Sequence, residues 1–519
     1  MTDGLELLND KPRRSWAESA RAFLHPKVLA LLFLGFSAGV PLYLVFSTLS
    51  VWLREAGIER ATIGFFSWAA LAYGFKFVWS PLIDRLPVPV LARWLGRRRA
   101  WLLVAQAGII GALSFMALTD PSGSETHLVA MALGAVGLAF CSATQDIVID
   151  AYRIESADED LQGLMSATYI AGYRLGMLVA GAGALELAGF LDHVQGYDYA
   201  AWRGTYFAMA GVMGIGILTT FVISEPPYVK PLGVVMDKGE DYLRFIVLFG
   251  LVAAAFAGGF IVMPDVSAGL TEPLGEALAG FVSGALRLSG ALAAAVVAGV
   301  ALVQLGLVAK DMAYETYVAP FADFFTRYGR TALVILALIM TYRISDIVMG
   351  VMANVFYLDL GFDKEQIGLI SKGFGLGATI VGGFIGGLVT VRYGVMKTMW
   401  MGGILVVASN ALFAVMVGVS PHIWVLMAVI SADNLSGGIS SAAFVAYLSG
   451  LTSKSFTATQ YALFSSLMML LPKLIAGYSG VAVDAFGYVA FFIGTALMGL
   501  VPLVLILVVA WKGRAALQR

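Results

Sequence analysis

The stretch CSATQDIVIDAYR (141–153) sets Asp146 and Asp150 one helical turn apart, with Gln145 beside them, directly after the apolar run LVAMALGAVGLAF. Spacing of i and i+4 puts both carboxylates on one helix face. At the centre of a membrane helix a charged side chain costs about 2.5–3.5 kcal/mol. Protonating an aspartate at neutral pH costs roughly 4 kcal/mol, from about three units above its reference pKa. The two costs are comparable, so two chemistries are open to this pair: neutralisation by a basic partner, or uptake of a proton.

Partners lie at matching depth. At about 1.5 Å per residue, Lys76 in YGFKFVWSP sits as far inside its segment as Asp146, and Arg174 in AGYRLGML sits deeper. The first cluster is therefore Lys76, Asp146, Asp150 and Arg174, with Tyr73, Gln145 and Tyr173 near them. A second set follows later in the chain: Arg343 and Asp346 in TYRISD, Lys372 in LISKGFG, Asp433 and Asn434 in SADNLSGG, and Lys473 after Pro472. Each falls within a turn or two of mid-membrane. Glu186 and Asp484 lie nearer segment ends and read as helix-end residues. These charges could all be helix-to-helix salt bridges. Buried ion pairs are a poor source of stability, however, so at least one proton or ligand site is expected among them.

The elements that position these residues are membrane helices. Of the 519 residues 59% are hydrophobic and 13% charged, about half the charge of a soluble protein. Apolar stretches near the ~20 residues a bilayer requires number fourteen in our reading, among them 63–83, 128–150, 458–484 and 488–511. Of the 33 Lys and Arg, only Arg54, Arg60, Arg203 and Lys364 fall outside when the N-terminus is placed inside. This positive-inside asymmetry puts both termini in the cytoplasm. The N-terminus has no apolar signal core, so the first span serves as the insertion signal. The single Cys141 excludes an internal disulfide, and the four histidines (His25, His127, His193, His422) lie in tails or loop edges. Neither a metal centre nor a resident cofactor is expected, and a near-neutral net charge gives no reason to expect nucleic acid.

A repeat organises the spans. GIERATIGFFS from Gly57 returns as GFDKEQIGLIS from Gly361, an offset of 304, and SATYIAGY (166–173) echoes TATQYALF (457–464). We therefore read an all-α protein of two six-helix halves with two inserted helices. The expected plan is a cytoplasmic tail 1–27, an N-terminal bundle 28–223, a linker 224–242, inserted spans 243–309, a linker 310–330 of amphipathic helix, a C-terminal bundle 331–511 and a tail 512–519. Parallel halves of this kind surround a midplane site in transporters.

The loop SPLIDR followed by GRRR resembles a stretched form of the major facilitator signature. That resemblance implies that Asp84, Arg85, Arg97 and Arg98 tie helix ends together as a cytoplasmic gate. From about residue 28 to 505 the chain also resembles the AmpG-like muropeptide permeases of that superfamily. The resemblance rests on LGFSAGVPL, FKFVWSPLIDR, FCSATQDIVIDAY, GYRLGMLVAG, GFDKEQIG, DNLSGGISSAAFVA and KSFTATQYAL. It implies proton-driven import of GlcNAc–1,6-anhydro-MurNAc, with or without its stem peptide, across the bacterial inner membrane during cell-wall recycling, by a monomer. That product feeds β-lactamase induction, hence β-lactam resistance, in some species. The same resemblance carries site roles onto Lys76, Gln145, Asp146, Asp150, Arg174, Arg343, Asp346, Lys372 and Asp433; Lys473 stands on its depth alone. We expect Asp146, the deeper acid, to take the coupling proton, while Asp150 pairs with Arg174 or Lys76.

Rival readings are a transporter of another bulky anion such as acetyl-CoA, a non-transporting sensor on the same fold, and a membrane enzyme acting on lipid-linked wall intermediates. The last lacks catalytic spacing in the acidic loop YRIESADEDLQG. An ATP-driven pump is excluded further, because no Gly-Lys dipeptide, and so no P-loop, occurs.

Overall fold

The computed structural model describes residues 16–59, 62–63, 66, 71–156, 159–194, 196–227, 239–274, 276–362, 364–419 and 422–517. All regular structure among them is helical, and 12 helices are long and apolar enough to cross a membrane. Two of the fourteen expected segments are not in that set. The one at 63–83 lies partly outside the described residues, and the rest of it is broken into Leu71–Phe75, a tight turn Lys76–Val78 and Ser80–Arg85. The one at 458–484 is the helix Thr457–Ala476, long enough to cross but diluted by Thr, Gln, Ser, Pro472 and Lys473. The segment at 128–150 runs further than expected, as Glu125–Ser156, which turns Arg153 and Glu155 from loop residues into helical ones.

The chain forms two units. The first comprises Met1–Ile83, Pro87–Val229 and Phe324–Arg519, and so contains both repeat halves. The repeat is visible in the backbone. The N–H of Gly57 donates to Arg54 O at 3.1 Å and that of Ile58 to Leu53 O at 3.0 Å. The residues 304 positions on do the same: Gly361 to Leu358 O at 2.9 Å and Phe362 to Tyr357 O at 3.1 Å. Both glycines are left-handed, at φ +81° and +91°, as this C-terminal helix cap requires.

Glycine also sets the packing. A Cβ on Gly39 would lie 2.0 Å from Tyr173 O, and one on Gly172 only 1.9 Å from Leu32 O. The helices Pro26–Val45 and Glu159–Leu178 therefore touch backbone to backbone along Gly35, Gly39, Gly172 and Gly176, the small-xxx-small seam favoured in lipid. In the second half Gly375–Tyr393 meets Ile423–Leu451 in the same way, through Gly382, Gly386 and Gly438. Aromatic residues close each half: Trp52, Trp202 and Tyr206 in the first, and Phe356, Phe413 and Phe492 in the second.

The second unit comprises Asp84–Leu86 and Lys230–Asp323. Its helices Gly239–Val262 and Glu276–Gln304 pack through small residues, with Gly259 against Ala291 and Ala294. Arg287 donates to Phe260 O at 3.1 Å and lies over the Phe260 ring, so its charge caps the end of its neighbour helix. In the connection, hydrogen bonds from Ser267 and Ser283 hold the Asp265 carboxyl down at about 2. Arg85 pairs with Glu315 at 3.7 Å and donates to its carbonyl at 2.9 Å.

Candidate functional site

The broken helix around Lys76 delivers an ammonium into the first half. Trp79 fixes the break by donating to Thr144 Oγ1 at 3.1 Å and packing on Phe140. Lys76 Nζ lies 3.7 Å from Asp150 Oδ2, and Arg153 Nη2 lies 3.2 Å from Asp150 Oδ1. Asp146 accepts a long hydrogen bond from Tyr169 at 3.4 Å, and Lys76 acts on it electrostatically as well. Gln145 is fully buried, accepts from Ser37 Oγ at 3.0 Å, and among the described residues leaves its Nε2 without a partner. Tyr73 lies alongside, its buried hydroxyl beside Ser142.

From Asp150 the network crosses to the second half. Arg153, with 0% of its surface exposed, donates to Ser449 Oγ at 2.6 Å and to Ser166 Oγ at 3.1 Å, and lies over the Tyr461 ring. Two residues on, Glu155 gathers Arg98 at 2.5 Å, Arg97 at 3.2 Å and the Thr457 hydroxyl of the second half at 2.6 Å. Glu225 accepts the backbone N–H groups of Arg98 and Arg99 and caps the helix Arg97–Ala117. Close approaches of Gly163 to Thr390 and of Gly387 to Ala167 add to the contact between halves at this end.

The later charges are less enclosed. Arg343 sits at the break between Thr331–Thr341 and Ile344–Asp359 and pairs with Asp346 at 2.7 Å. Asp433 accepts from Ser409 at 3.2 Å. Asn434 spends its amide within the bundle, accepting from Thr379 at 2.8 Å and donating to Ile430 O at 2.9 Å, which makes it a helix clamp. Lys473 is exposed. Lys372 lies in the wide turn Gly368–Phe374, with its side chain outside the described residues. A cavity of about 290 Å³ near Val51, Glu55, Asp192, Asp198 and Trp202 lacks any cation in its lining and stands apart from these groups.

Residues 27–239 match the family model described as acetyl-coenzyme A transporter 1. Over 94% of its length the chain is 32% identical to the anhydromuropeptide permease of Escherichia coli K12, covering 80% of that protein. The chain belongs to the anhydromuropeptide permease family. Another relative, putative transporter AmpG 4 of Rickettsia felis, is 29% identical over 94% of this chain and 97% of its own. Among solved structures, the proton:xylose symporter XylE superposes with a TM-score of 0.55 at 11% identity, covering 94% of this chain and 95% of that one. The transporter FucP, in its outward conformation, gives 0.56 at 11%, covering 95% and 99%. The fold is thus that of the major facilitator superfamily, and this permease-family chain is a multi-pass membrane transporter and not an enzyme.

Lys76, one of the two partners expected for Asp150, lies beside it, and Arg153 is the second cation there; Arg174, the other expected partner, has no hydrogen bond or ion pair among the described residues. Of the four expected gate residues, Arg97 and Arg98 converge on Glu155 and Arg85 bonds Glu315; Asp84 is buried. Arg153, Glu155, Ser449, Thr457 and Tyr461 were missed altogether. The signal for the first of these was present as Asp150 and Arg153 at i and i+3. Apolarity alone ends the helix at Asp150, which leaves Arg153 in a loop.

Proposed function

We propose that this protein is a proton-coupled importer of anhydro-muropeptides in the bacterial inner membrane, carrying GlcNAc–1,6-anhydro-MurNAc, with or without stem peptide, from periplasm to cytoplasm by alternating access. The permease relatives support the substrate class. The observation that carries the mechanism is the division of labour in the helix Glu125–Ser156. Asp150 is neutralised by two cations, whereas Asp146 has, among the described residues, only a tyrosine hydroxyl in hydrogen-bonding range.

When Asp146 is charged, it and Asp150 share Lys76. When it takes a proton, Lys76 turns wholly to Asp150, whose hold on Arg153 then slackens. Arg153 in turn holds Ser449 and Tyr461 of the other half. The chain Asp146–Lys76–Asp150–Arg153–Ser449 thus links a proton to the contact between halves. With the basic loops in the cytoplasm, the closed end is the cytoplasmic one, and protons and substrate enter from the periplasm. The proton gradient is the only energy source required, and a monomer suffices.

The test is uptake of labelled anhydro-muropeptide into proteoliposomes. Accumulation above equilibrium that collapses with a protonophore is expected. Asp146→Asn is expected to lose gradient-driven accumulation while keeping substrate exchange; full accumulation by this variant would move the proton site elsewhere. The acetyl-coenzyme A transporter match over 27–239 favours a second reading, a carrier of a coenzyme A ester. Muropeptide uptake that resists excess acetyl-CoA excludes it, and competition at low concentration supports it.

A further inference from the structure

We infer that Tyr169 and Tyr173 form a sugar-facing subsite in the first half, and that the Tyr169 hydroxyl makes ligand binding and protonation of Asp146 favour one another. The inference rests on the proton-coupled muropeptide reading and assigns it a specific contact. The two tyrosines lie one turn apart on the helix Glu159–Leu178, with ring centroids 5.9 Å apart at 49°. The glycine seam fixes their backbone, since a Cβ on Gly35 would lie 2.2 Å from Tyr169 O and one on Gly39 only 2.0 Å from Tyr173 O. Both residues are half-buried, so their rings keep a flat face for a sugar ring. Tyr169 donates to Asp146 Oδ1 at 3.4 Å, whereas the Tyr173 hydroxyl makes no hydrogen bond among the described residues.

A phenol has a single hydrogen to donate. While Asp146 is a carboxylate it holds that hydrogen of Tyr169, the one hydrogen bond it receives among the described residues. Once Asp146 takes a proton, the carboxylic acid is itself a donor and bonds the phenol oxygen instead. The Tyr169 hydrogen is then released to an acceptor oxygen of the ligand, a sugar hydroxyl or an N-acetyl carbonyl. The exchange also runs in reverse. A ligand that draws the hydrogen away removes the donor that favours the charged carboxylate, and proton uptake follows. Coupling between two sites is reciprocal, and this sign is the one that symport requires. A bond of 3.4 Å is long for O–H···O and yields at little cost. Asp150 cannot respond in this way, because Lys76 and Arg153 already neutralise it. The other titratable groups that act on Asp146 are Lys76 and Tyr73 of the broken segment, Asp150 on its own helix, Tyr173, and Tyr461 of the second half. Among the described residues only Tyr169 reaches it with a hydrogen bond.

The experiment measures the KM for exchange of labelled GlcNAc–1,6-anhydro-MurNAc in proteoliposomes, with the same pH on both sides. Lowering that pH from about 8 to about 6 is expected to lower the wild-type KM about tenfold, an ordinary size for linkage between two sites. In Tyr169→Phe, which keeps the ring, the KM stays at the high-pH value throughout. Asp146→Asn, which removes the charge that holds the hydrogen, keeps the low-pH value throughout, so the two variants flatten the profile in opposite directions. Tyr173→Leu raises the KM about tenfold, the scale of one stacked or hydrogen-bonded contact, at both pH values, and Tyr173→Phe, which restores the ring, recovers most of that loss. A wild-type KM that ignores pH overturns the coupling alone, as does a Tyr169→Phe protein with the wild-type profile. A Tyr173→Leu protein with the wild-type KM overturns the sugar subsite. Absence of wild-type exchange at either pH overturns the muropeptide reading and the coupling with it.

Discussion

Asp150 in the first half lies 3.7 Å from Lys76 and 3.2 Å from Arg153, and the side chains of this trio are at most 10% exposed. In the second half, Arg343 and Asp346 form a shorter pair at 2.7 Å, yet their side chains are 26% and 28% exposed. The tighter geometry is thus found where solvent reaches, and the looser one where it does not. Energy follows burial more than distance. A partner lost in the first half strands a charge at low dielectric, whereas water can take over in the second. The first half is built to transmit a change of charge into the contact between halves. The second keeps its charges where a soluble ligand can exchange with them.

The largest expected effect tests the frame that holds the first half. Gly39→Leu places a Cβ 2.0 Å from Tyr173 O. The atom it meets is backbone, so the cost should reach roughly the 3 kcal/mol end of overpacking penalties. The protein should then be lost from the monodisperse peak in detergent size-exclusion chromatography. Gly350→Ala in the second half, where a Cβ meets nothing within 4 Å, should leave that peak in place.

Next comes the contrast itself. Arg153→Ala removes one cation from a sealed trio together with the Ser449 bond, and breaking such a pair costs about 3–5 kcal/mol. Arg343→Ala removes a partner that solvent partly reaches and should cost less, about 1 kcal/mol. Thermal melts of the two variants should therefore separate clearly, with Asp150→Asn recovering part of the Arg153→Ala loss. If both variants melt alike, burial does not distinguish the halves. In transport the order should reverse, Arg343→Ala losing apparent affinity while keeping its fold.

The smallest effect concerns the closed end. Thr457→Val deletes the hydroxyl bond to Glu155 at 2.6 Å and leaves Arg97 and Arg98 in place. It should cost about 1 kcal/mol, the worth of one hydrogen bond, and shift the open-to-closed ratio about fivefold. In a Cys141→Ser background, a cysteine placed at the buried Leu451 of the same end should be labelled faster in the variant by a membrane-impermeant thiol reagent added at the basic face. Unchanged labelling would assign closure to Arg153 alone.

Much of the fold was legible because lipid restricts the chain so strongly. Twenty apolar residues in lipid have to be helical, and the 304-residue offset, read from GIERATIG and GFDKEQIG, reappears as two superimposable helix caps. Where the reading failed, the cause was local. Ending a helix at Asp150 was reasonable on apolarity, since DAYRIES is polar. The helix continues to Ser156 because Arg153 and Glu155 find partners from Arg98, Ser449 and Thr457, and none of these is adjacent in sequence.

Sequence by itself determined which residues are charged inside the membrane, that they fall into two sets, and that the sets belong to duplicated halves. Periodicity, apolarity and repetition are properties of a single chain and can be read along it. Only the tertiary structure decided who pairs with whom: Arg153 and not Arg174 beside Asp150, and Arg98 on Glu155. A charge in lipid requires a partner, but Coulomb attraction specifies a distance and not an identity. Identity was settled by the glycine seams and helix breaks that set how closely each helix approaches its neighbours.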